Sequence, residues 1–305
     1  MATSRPPDDT PPPADQPPPP AAGSTPAPGG PAGPKGEVRI QSGEVELEAH
    51  LALPESPSAV DRPGVVLLHG FPSGEVWAER IGADLPELAN RIAEQMGWTA
   101  LAVRFRGCGG STGDFSLHGW MEDVRSSVEF LRQQASPDRI WLVGFGTGGA
   151  VALVTAVDDP GIEGVAMVGS PADFDDWAAN PNRLLAHAKR VGAISSPSFP
   201  PEPEEWKAQL QSVRAVRAAE QLPPRSLLVL HGSDDELVPH FDARLLADAH
   251  GGADLRFIQG GAHLLRHDPR AVAVLLGWLG RQRASLREAA TVEQRAESGA
   301  DGDRP

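Results

Sequence analysis

The sequence has few of the residues and patterns that mark several large classes of protein. It contains one cysteine, Cys108, in 305 residues, which excludes an internal disulfide and any zinc site built from several cysteines. No apolar run approaches the roughly 18 residues that a membrane-spanning helix needs. The N-terminus has no basic start followed by an apolar stretch, so no secretory signal is expected. We therefore expect a cytoplasmic protein with no membrane partner.

Positive charge is also scarce. The chain carries 27 Lys and Arg against 41 Asp and Glu, a net charge of −14 at pH 7. Binding to nucleic acid or to anionic lipid depends on clustered cations that neutralise phosphate groups. We expect neither partner.

Composition divides the chain into a central domain and two tails. Residues 1–34 hold 13 of the 31 prolines and no aromatic or β-branched apolar residue, so this segment cannot build a core and is predicted to be disordered. The polar segment 284–305 is predicted to be a second disordered tail. Residues 35–283 remain as a single domain.

Short apolar runs alternate with amphipathic stretches in the central domain. Strands are predicted at 45–53, 64–69, 98–105, 139–143, 164–168, 226–230 and 254–258. Helices are predicted at 78–96, 120–134, 147–157, 241–250 and 269–281. Such alternation predicts an α/β protein with a mainly parallel sheet and helices on both faces. Residues 171–222 contain no strand pattern, and an insertion of this length indicates a helical cap over a cleft.

Glycine and histidine segments follow the ends of the predicted strands, where parallel sheets form ligand sites. They are His69-Gly70-Phe71, the loop 106–113, the turn Gly144-Phe145-Gly146-Thr147-Gly148, Asp235 ahead of Val238-Pro239, and His263. In this order and spacing they resemble the α/β-hydrolase superfamily, most closely its esterase and serine-aminopeptidase-like members. The resemblance spans about residues 38–281 and implies an α/β-hydrolase fold.

The same resemblance implies roles for individual residues. Asp235 and His263 match the acid and the base of a catalytic triad. Phe71 and Thr147 match the two residues whose backbone N–H groups form an oxyanion hole. The nucleophile of the family is the serine of a Gly-x-Ser-x-Gly elbow, and the matching position here is Gly146. Glycine cannot form a covalent intermediate, so a serine-type acyl-enzyme is not expected.

Three interpretations of this departure follow. In the first, the protein is a degenerate hydrolase that binds a small acyl-like molecule or a protein. In the second, the His263/Asp235 pair activates water or takes a substrate proton, or Thr147, Ser111 or Cys108 serves as a substitute nucleophile. In the third, Gly144-x-Gly146-x-x-Gly149 binds a dinucleotide with Asp173 on the ribose.

The other candidate residues have simpler interpretations. His263 and His267 are four residues apart, but Pro269 follows too soon for a metal-binding helix, so neither a metal nor a cofactor is expected. Asp234 is an alternative to Asp235, although the spacing to Val238-Pro239 favours Asp235. We interpret three histidines as turn or rim residues and two tryptophans as cap core. These are His69, His118 and His231, and Trp177 and Trp206.

Overall fold

The computed structural model describes residues 36–58, 61–73 and 76–300, with side chains up to residue 288. The Pro-rich segment 1–34 lies outside the described residues. The strands are β1 (Gly36–Ser42), β2 (Val45–Ala52), β3 (Pro63–Leu68), β4 (Thr99–Val103), β5 (Arg139–Phe145), β6 (Ile162–Val168), β7 (Ser226–Gly232) and β8 (Asp254–Ile258). The α-helices are α1 (Leu85–Met96), α2 (Leu117–Ala135), α3 (Thr147–Asp158), α4 (Asp175–Ala179), α5 (Pro181–Val191), α6 (Pro203–Ser212), α7 (Ala215–Gln221), α8 (His240–His250) and α9 (Pro269–Ala300).

The eight strands form one sheet in the order β1-β2-β4-β3-β5-β6-β7-β8. β2 pairs antiparallel with both β1 and β4. All other neighbouring strands are parallel, so each parallel pair needs a crossover that returns the chain to the same edge of the sheet. The predicted fold class is confirmed, and the ends of β3, β5, β7 and β8 lie along one edge.

Helices cover both faces of the sheet, as the fully apolar central strands require. Every residue of β3 is buried. Val66 and Leu68 belong to the core on the face that α2 and α3 cover. Val65 and Leu67 belong to the core on the opposite face, with α1 and α9. The alternation along one strand therefore builds two cores.

One strand and the start of one helix differ from the sequence prediction. β1 was not predicted, although Val38 and Ile40 are buried and alternate with exposed polar residues. The helix predicted from residue 78 begins only at Leu85, because Gly82 has φ +72° and a proline stands at the start of α1. The segment 78–84 forms turns instead.

The last helix is longer than expected. α9 continues to Ala300, so the predicted polar tail 284–305 is helical over most of its length. Arg283 and Arg287 both donate to Asp61 in the loop ahead of β3, at 2.5–3.0 Å. Leu286 packs against the core in the same region. These contacts fix a stretch that its composition alone marks as a tail.

The cap predicted at 171–222 consists of helices α4 to α7. Backbone hydrogen bonds tie this segment to the rest of the domain. Ala78 N–H donates to Val191 O and Phe115 N–H donates to Ala193 O, both at 2.9 Å. Trp206 is buried, as predicted, and its indole N–H donates to Phe115 O at 3.2 Å.

None of the described helices is long and apolar enough to cross a membrane.

Candidate active site

Gly146 occupies the apex of the sharp turn between β5 and α3. Its backbone has φ +53° and ψ −128°, a region that strains any residue with a side chain. Its N–H donates to Val168 O at 2.9 Å, and its carbonyl accepts from Gly149 N–H at 3.0 Å. A Cβ atom here would lie 3.5 Å from Gly70 Cα and 3.7 Å from His263 Nε2. The position is therefore open to a side chain, and that side chain would face His263.

The neighbouring glycines serve a different purpose, which is close packing. A Cβ at Gly144 would lie 2.4 Å from the Gly148 carbonyl oxygen. A Cβ at Gly148 would lie 2.2 Å from His69 O, and one at Gly149 would lie 2.1 Å from Ser170 Oγ. Protein atoms thus fill the space beside each of these glycines, which lets α3 start directly against the sheet.

This packing bears on the dinucleotide interpretation. The glycine pattern follows β5, a central strand of the sheet, rather than the first strand of a nucleotide-binding unit. Asp173 accepts from Asp175 N–H at 2.9 Å and lies 4.0 Å from Arg214. The proposed ribose acid is therefore engaged within its own turn and with α6–α7, and we do not pursue this interpretation.

His263 and Asp235 come together, as the resemblance implies. His263 Nδ1 lies 2.9 Å from Asp235 Oδ2, and the Asp235 side chain is fully buried. Asp235 Oδ1 accepts from the N–H groups of Leu237 and Val238, each at 2.9 Å. Asp234 instead accepts from Ser233 Oγ. Asp235 is thus the carboxylate that orients His263.

The hydrogen bonds around Asp235 determine its ionisation. Burial opposes the charged form, but the bonds from His263 and from the backbone of Val238 and Leu237 outweigh it and hold the pKa of Asp235 below its ordinary value. An ionised carboxylate behind an imidazole holds the ring and stabilises its protonated form. His263 is therefore equipped to accept a proton at Nε2, on the side that faces Gly146.

The loop after β3 touches the elbow. A Cβ at Gly70 would lie 3.0 Å from Phe145 O and 3.5 Å from Gly146 Cα. Phe71 and Thr147 each follow one of these two touching glycines in sequence. Thr147 is also the first residue of α3, so its N–H has no partner within the helix.

Three aromatic residues, which we call the aromatic wall, stand beside this loop. The ring of Phe71 lies 4.5 Å from that of Phe115 and 5.2 Å from that of Trp177 on α4. Phe115 is buried, whereas Phe71 and Trp177 are half-buried. Trp177, predicted as cap core, packs against the core and lies 5.0 Å from the ring of Phe174 in the same segment, and its partly exposed ring also packs on the loop beside Gly146.

Two of the candidate substitute nucleophiles are committed elsewhere. Ser111 Oγ donates to Arg104 O at 2.7 Å and accepts from Glu48 N–H at 2.8 Å. Cys108 is buried, and burial raises the pKa of its thiol far above the usual range. A thiol of this kind is a poor nucleophile. Thr147 is the first residue of α3, follows the apex residue Gly146 and is buried.

The loop 106–113 is held by a buried ion pair. Arg106 donates to Asp123 Oδ1 from Nε at 3.0 Å and from Nη2 at 2.7 Å. Its backbone N–H donates to Asp123 Oδ2 at 2.9 Å. Arg106 therefore anchors the loop to α2.

Two histidines predicted as turn or rim residues are fully buried. His69 lies between Gly70 O, 2.7 Å from Nδ1, and Phe105 N–H, 3.0 Å from Nε2. Burial lowers the pKa of His69 to about 4. His231 lies behind Asp235, with Nε2 3.4 Å from Asp235 Oδ2. His118 is exposed, as predicted.

His267 does not join His263 in a metal site. His267 Nε2 lies 2.7 Å from Asp84 Oδ2, which also accepts from Arg266. Within the described part of the chain, no three His, Cys, Asp or Glu side chains are grouped so as to hold a metal ion.

Comparison with known proteins agrees with this geometry. The sequence matches the alpha/beta hydrolase family over residues 65–275. It is 25% identical over 210 residues to the uncharacterized peptidase YtmA of Bacillus subtilis. The aligned region covers 65% of this chain and 72% of the relative.

Solved structures show the same fold. Est1E from Butyrivibrio proteoclasticus with bound ferulic acid superposes with a TM-score of 0.59 at 16% identity, covering 81% of this chain and 98% of that one. Mouse alpha/beta hydrolase domain-containing protein 10 gives a TM-score of 0.60 at 17% identity, covering 82% and 99%. The chain therefore belongs to the alpha/beta hydrolase family.

Proposed function

We propose that this protein is a degenerate hydrolase that binds a small acyl-like molecule without forming an acyl-enzyme. The observation that carries the proposal is the absence of a side chain on Gly146, at the apex of the elbow and facing His263. An acyl-enzyme needs a nucleophilic atom within reach of the base. Glycine supplies none, and Ser111 and Cys108 are bonded or buried elsewhere.

Groups around the same turn support the binding part of the proposal. The N–H groups of Phe71 and Thr147 follow the two touching glycines, and α3 starts at the same point. Backbone donors at a helix N-terminus favour a carbonyl oxygen or a carboxylate. The orientation of His263 by Asp235 adds a donor or acceptor on the other side of the same space.

The aromatic wall indicates the rest of the ligand. Phe71 follows Gly70, which touches Gly146, and its half-buried ring packs on Phe115 and Trp177. An acyl group bound at the N–H groups would place its apolar portion near these rings, where aromatic pairs are favourable. We therefore propose an aromatic or apolar carboxylic acid or ester, and ferulic acid, bound in the Est1E structure, is a suitable probe.

Active-site labelling tests the absence of an acyl-enzyme route. A fluorophosphonate probe should leave the wild-type protein unlabelled and should label Gly146→Ser. Gly146→Ala is the matched control, because it adds the same Cβ without the hydroxyl group, and it should not be labelled. Labelling of any serine or threonine in the wild-type protein would overturn the proposal.

Ligand binding is tested separately. Ferulate should raise the melting temperature of the wild-type protein, since a ligand that binds only the folded state stabilises it. Trp177→Ala should weaken this shift, whereas NAD should cause none. A shift with NAD and none with any acid or ester of this class would contradict the proposed ligand.

A second candidate function is hydrolysis by water that His263 activates directly. It is favoured by the 2.9 Å contact between His263 and Asp235 and by the place of His263 Nε2, 3.7 Å from where a Cβ of residue 146 would lie. Serine proteases that lose a triad member retain about 10³- to 10⁴-fold catalysis over water. Wild-type ester hydrolysis that His263→Ala abolishes would establish this route, and a rate unchanged by that substitution would exclude it.

A further inference from the structure

His231 lies directly behind the His263/Asp235 pair. It is the sixth residue of β7, pairs in register with Phe257 of β8, and is fully buried. Because side chains alternate along a strand, His231 lies on the same face as Leu227 and Val229. Those two residues belong to the core on the α2 and α3 face. A polar ring at such a position needs a reason other than packing.

His231 contacts the loop that carries Asp235 at two places. His231 Nε2 lies 3.0 Å from Val238 O and 3.4 Å from Asp235 Oδ2. Val238 N–H in turn donates to Asp235 Oδ1 at 2.9 Å. Both groups that face Nε2 are acceptors, so the ring carries its proton on Nε2 and donates it. Among the described residues, the buried Nδ1 of His231 has no hydrogen-bond partner.

The two oxygens of Asp235 are therefore used differently. Oδ1 is taken by the backbone of its own loop, while Oδ2 lies between His263 Nδ1 and His231 Nε2. Removing the N–H of His231 would leave the buried Val238 O without its donor, and Val238 is one of the two residues whose N–H groups hold Asp235 Oδ1. The loop would then hold the carboxylate less firmly in the orientation that keeps Oδ2 on His263. Asp242 of α8 is the other acidic group whose charge interacts with His231.

We propose that His231 is a positioning residue of this site, which fixes the Asp235 carboxylate so that Oδ2 stays on His263. The assignment rests on the proposed function in one respect, namely that the His263/Asp235 pair is used. His231 does not itself face the space above Gly146. It acts through Asp235 alone.

Two substitutions at position 231 separate positioning from packing. His231→Gln keeps a side-chain N–H that reaches toward Val238 O and Asp235, while His231→Phe keeps a ring and loses the N–H. The first readout is the proton NMR resonance of His263 Nδ1–H, which its bond to a buried carboxylate shifts far downfield and which His263→Ala identifies. It should persist in His231→Gln and disappear or move upfield in His231→Phe, with both variants folded by circular dichroism.

The second readout is kinetic and uses the Gly146→Ser background. Adding His231→Phe should lower kcat/KM for a p-nitrophenyl ester about 10- to 100-fold, the range typical of groups that orient a reactive side chain from behind. The loss should fall on kcat rather than KM, and His231→Gln should restore most of it. A downfield resonance and a rate that His231→Phe leaves unchanged would overturn the assignment. If His231→Phe does not fold, the comparison of His231→Gln with His231→Leu decides in the same way.

The NMR arm does not depend on activity. Labelling of the wild-type protein by a fluorophosphonate would remove the proposed function but would leave the resonance test of His231 intact. Conversely, an unchanged resonance in His231→Phe would remove the positioning role while the absence of a nucleophile at Gly146 still stands.

Discussion

A Cβ atom at Gly146 would lie 3.7 Å from Nε2 of His263. The imidazole of His263 therefore faces a residue that has no side chain with a proton to donate. Under the proposed function, the elbow turn, His263 and Asp235 are arranged as a serine at position 146 would require, and position 146 lacks the hydroxyl group. This relationship makes the site unusually easy to test by substitution.

Gly146→Ser should create turnover of p-nitrophenyl acetate, because the added Oγ would stand next to His263 Nε2. We expect a rate at least about 10²-fold above that of the wild-type protein, since triad members act as a unit. Release of p-nitrophenolate measures it. Adding His263→Ala should return the rate to the wild-type level. A folded Gly146→Ser protein with no gain would show that the oxyanion donors are not placed as proposed.

Gly148→Ala should be far more damaging than Gly146→Ala. A methyl group at Gly148 would lie 2.2 Å from His69 O, whereas at Gly146 it meets only ordinary contacts. The positive φ at residue 146 should make Gly146→Ala lower the free energy of unfolding by about 1–3 kcal/mol. In Gly148→Ala the added methyl group would push residue 148 away from the backbone of His69, which should lower the free energy of unfolding by about 3 kcal/mol or more. Urea unfolding of both variants measures the difference, and equal losses would contradict the packing described for α3.

The buried His69 should make the free energy of unfolding depend on pH. Its pKa is lowered from 6.5 to about 4 in the folded protein, so below pH 6.5 the unfolded chain binds a proton that the folded chain does not. Stability contributed by His69 is therefore complete above pH 6.5 and is lost as the pH falls toward 4. The loss over this interval amounts to about 3 kcal/mol.

Urea unfolding at several pH values between 7 and 4 tests this dependence. His69→Gln should flatten it, because the titrating group is gone. His118→Gln is the control, since His118 is exposed and its replacement should leave the slope as it is. A wild-type slope that His69→Gln does not change would show that another group causes it.

Asp61 should hold the distal part of α9 to the domain. Arg283 and Arg287 both bind this carboxylate, and the bond from Arg283 above all lowers the pKa of Asp61 well below its ordinary value. Asp61→Asn should cost about 2 kcal/mol, as expected for hydrogen bonds to a charged group, and should expose α9 near residue 283 to proteolysis.

The cost of Asp61→Asn should also depend on pH. Because the folded pKa of Asp61 is depressed, its contribution is complete above the unfolded value of 3.8 and is lost as the pH falls from there toward the folded pKa. Wild-type and Asp61→Asn proteins should therefore converge in acid. Asp138→Asn is a useful comparison, because Asp138 pairs with Arg62 at a far more exposed place and should cost less than about 1 kcal/mol.

The order of apolar runs was enough to predict the mainly parallel sheet and the helices on its two faces, and the resemblance to the α/β hydrolases implied the positions of Asp235, His263 and Gly146. It was not enough to predict β1, whose apolar residues are too few to stand out, or the full length of α9. The buried states of His69 and His231 were also missed, because nothing local to a histidine tells whether a strand end will be covered. The sequence signal that could have indicated burial is that His69 and His231 each follow an apolar strand and precede a glycine.

The sequence by itself determined the fold class and the glycine at the elbow position, since strand and helix periods and the identity of residue 146 are local properties. Only the tertiary structure decided that His263 lies within hydrogen-bond distance of Asp235, and that Ser111 is hydrogen-bonded elsewhere while Cys108 is buried. It also decided that His231 lies behind Asp235 and contacts the same loop. Those relationships join residues from different strands and loops, and their distances depend on how the sheet brings the chain together rather than on any spacing along it.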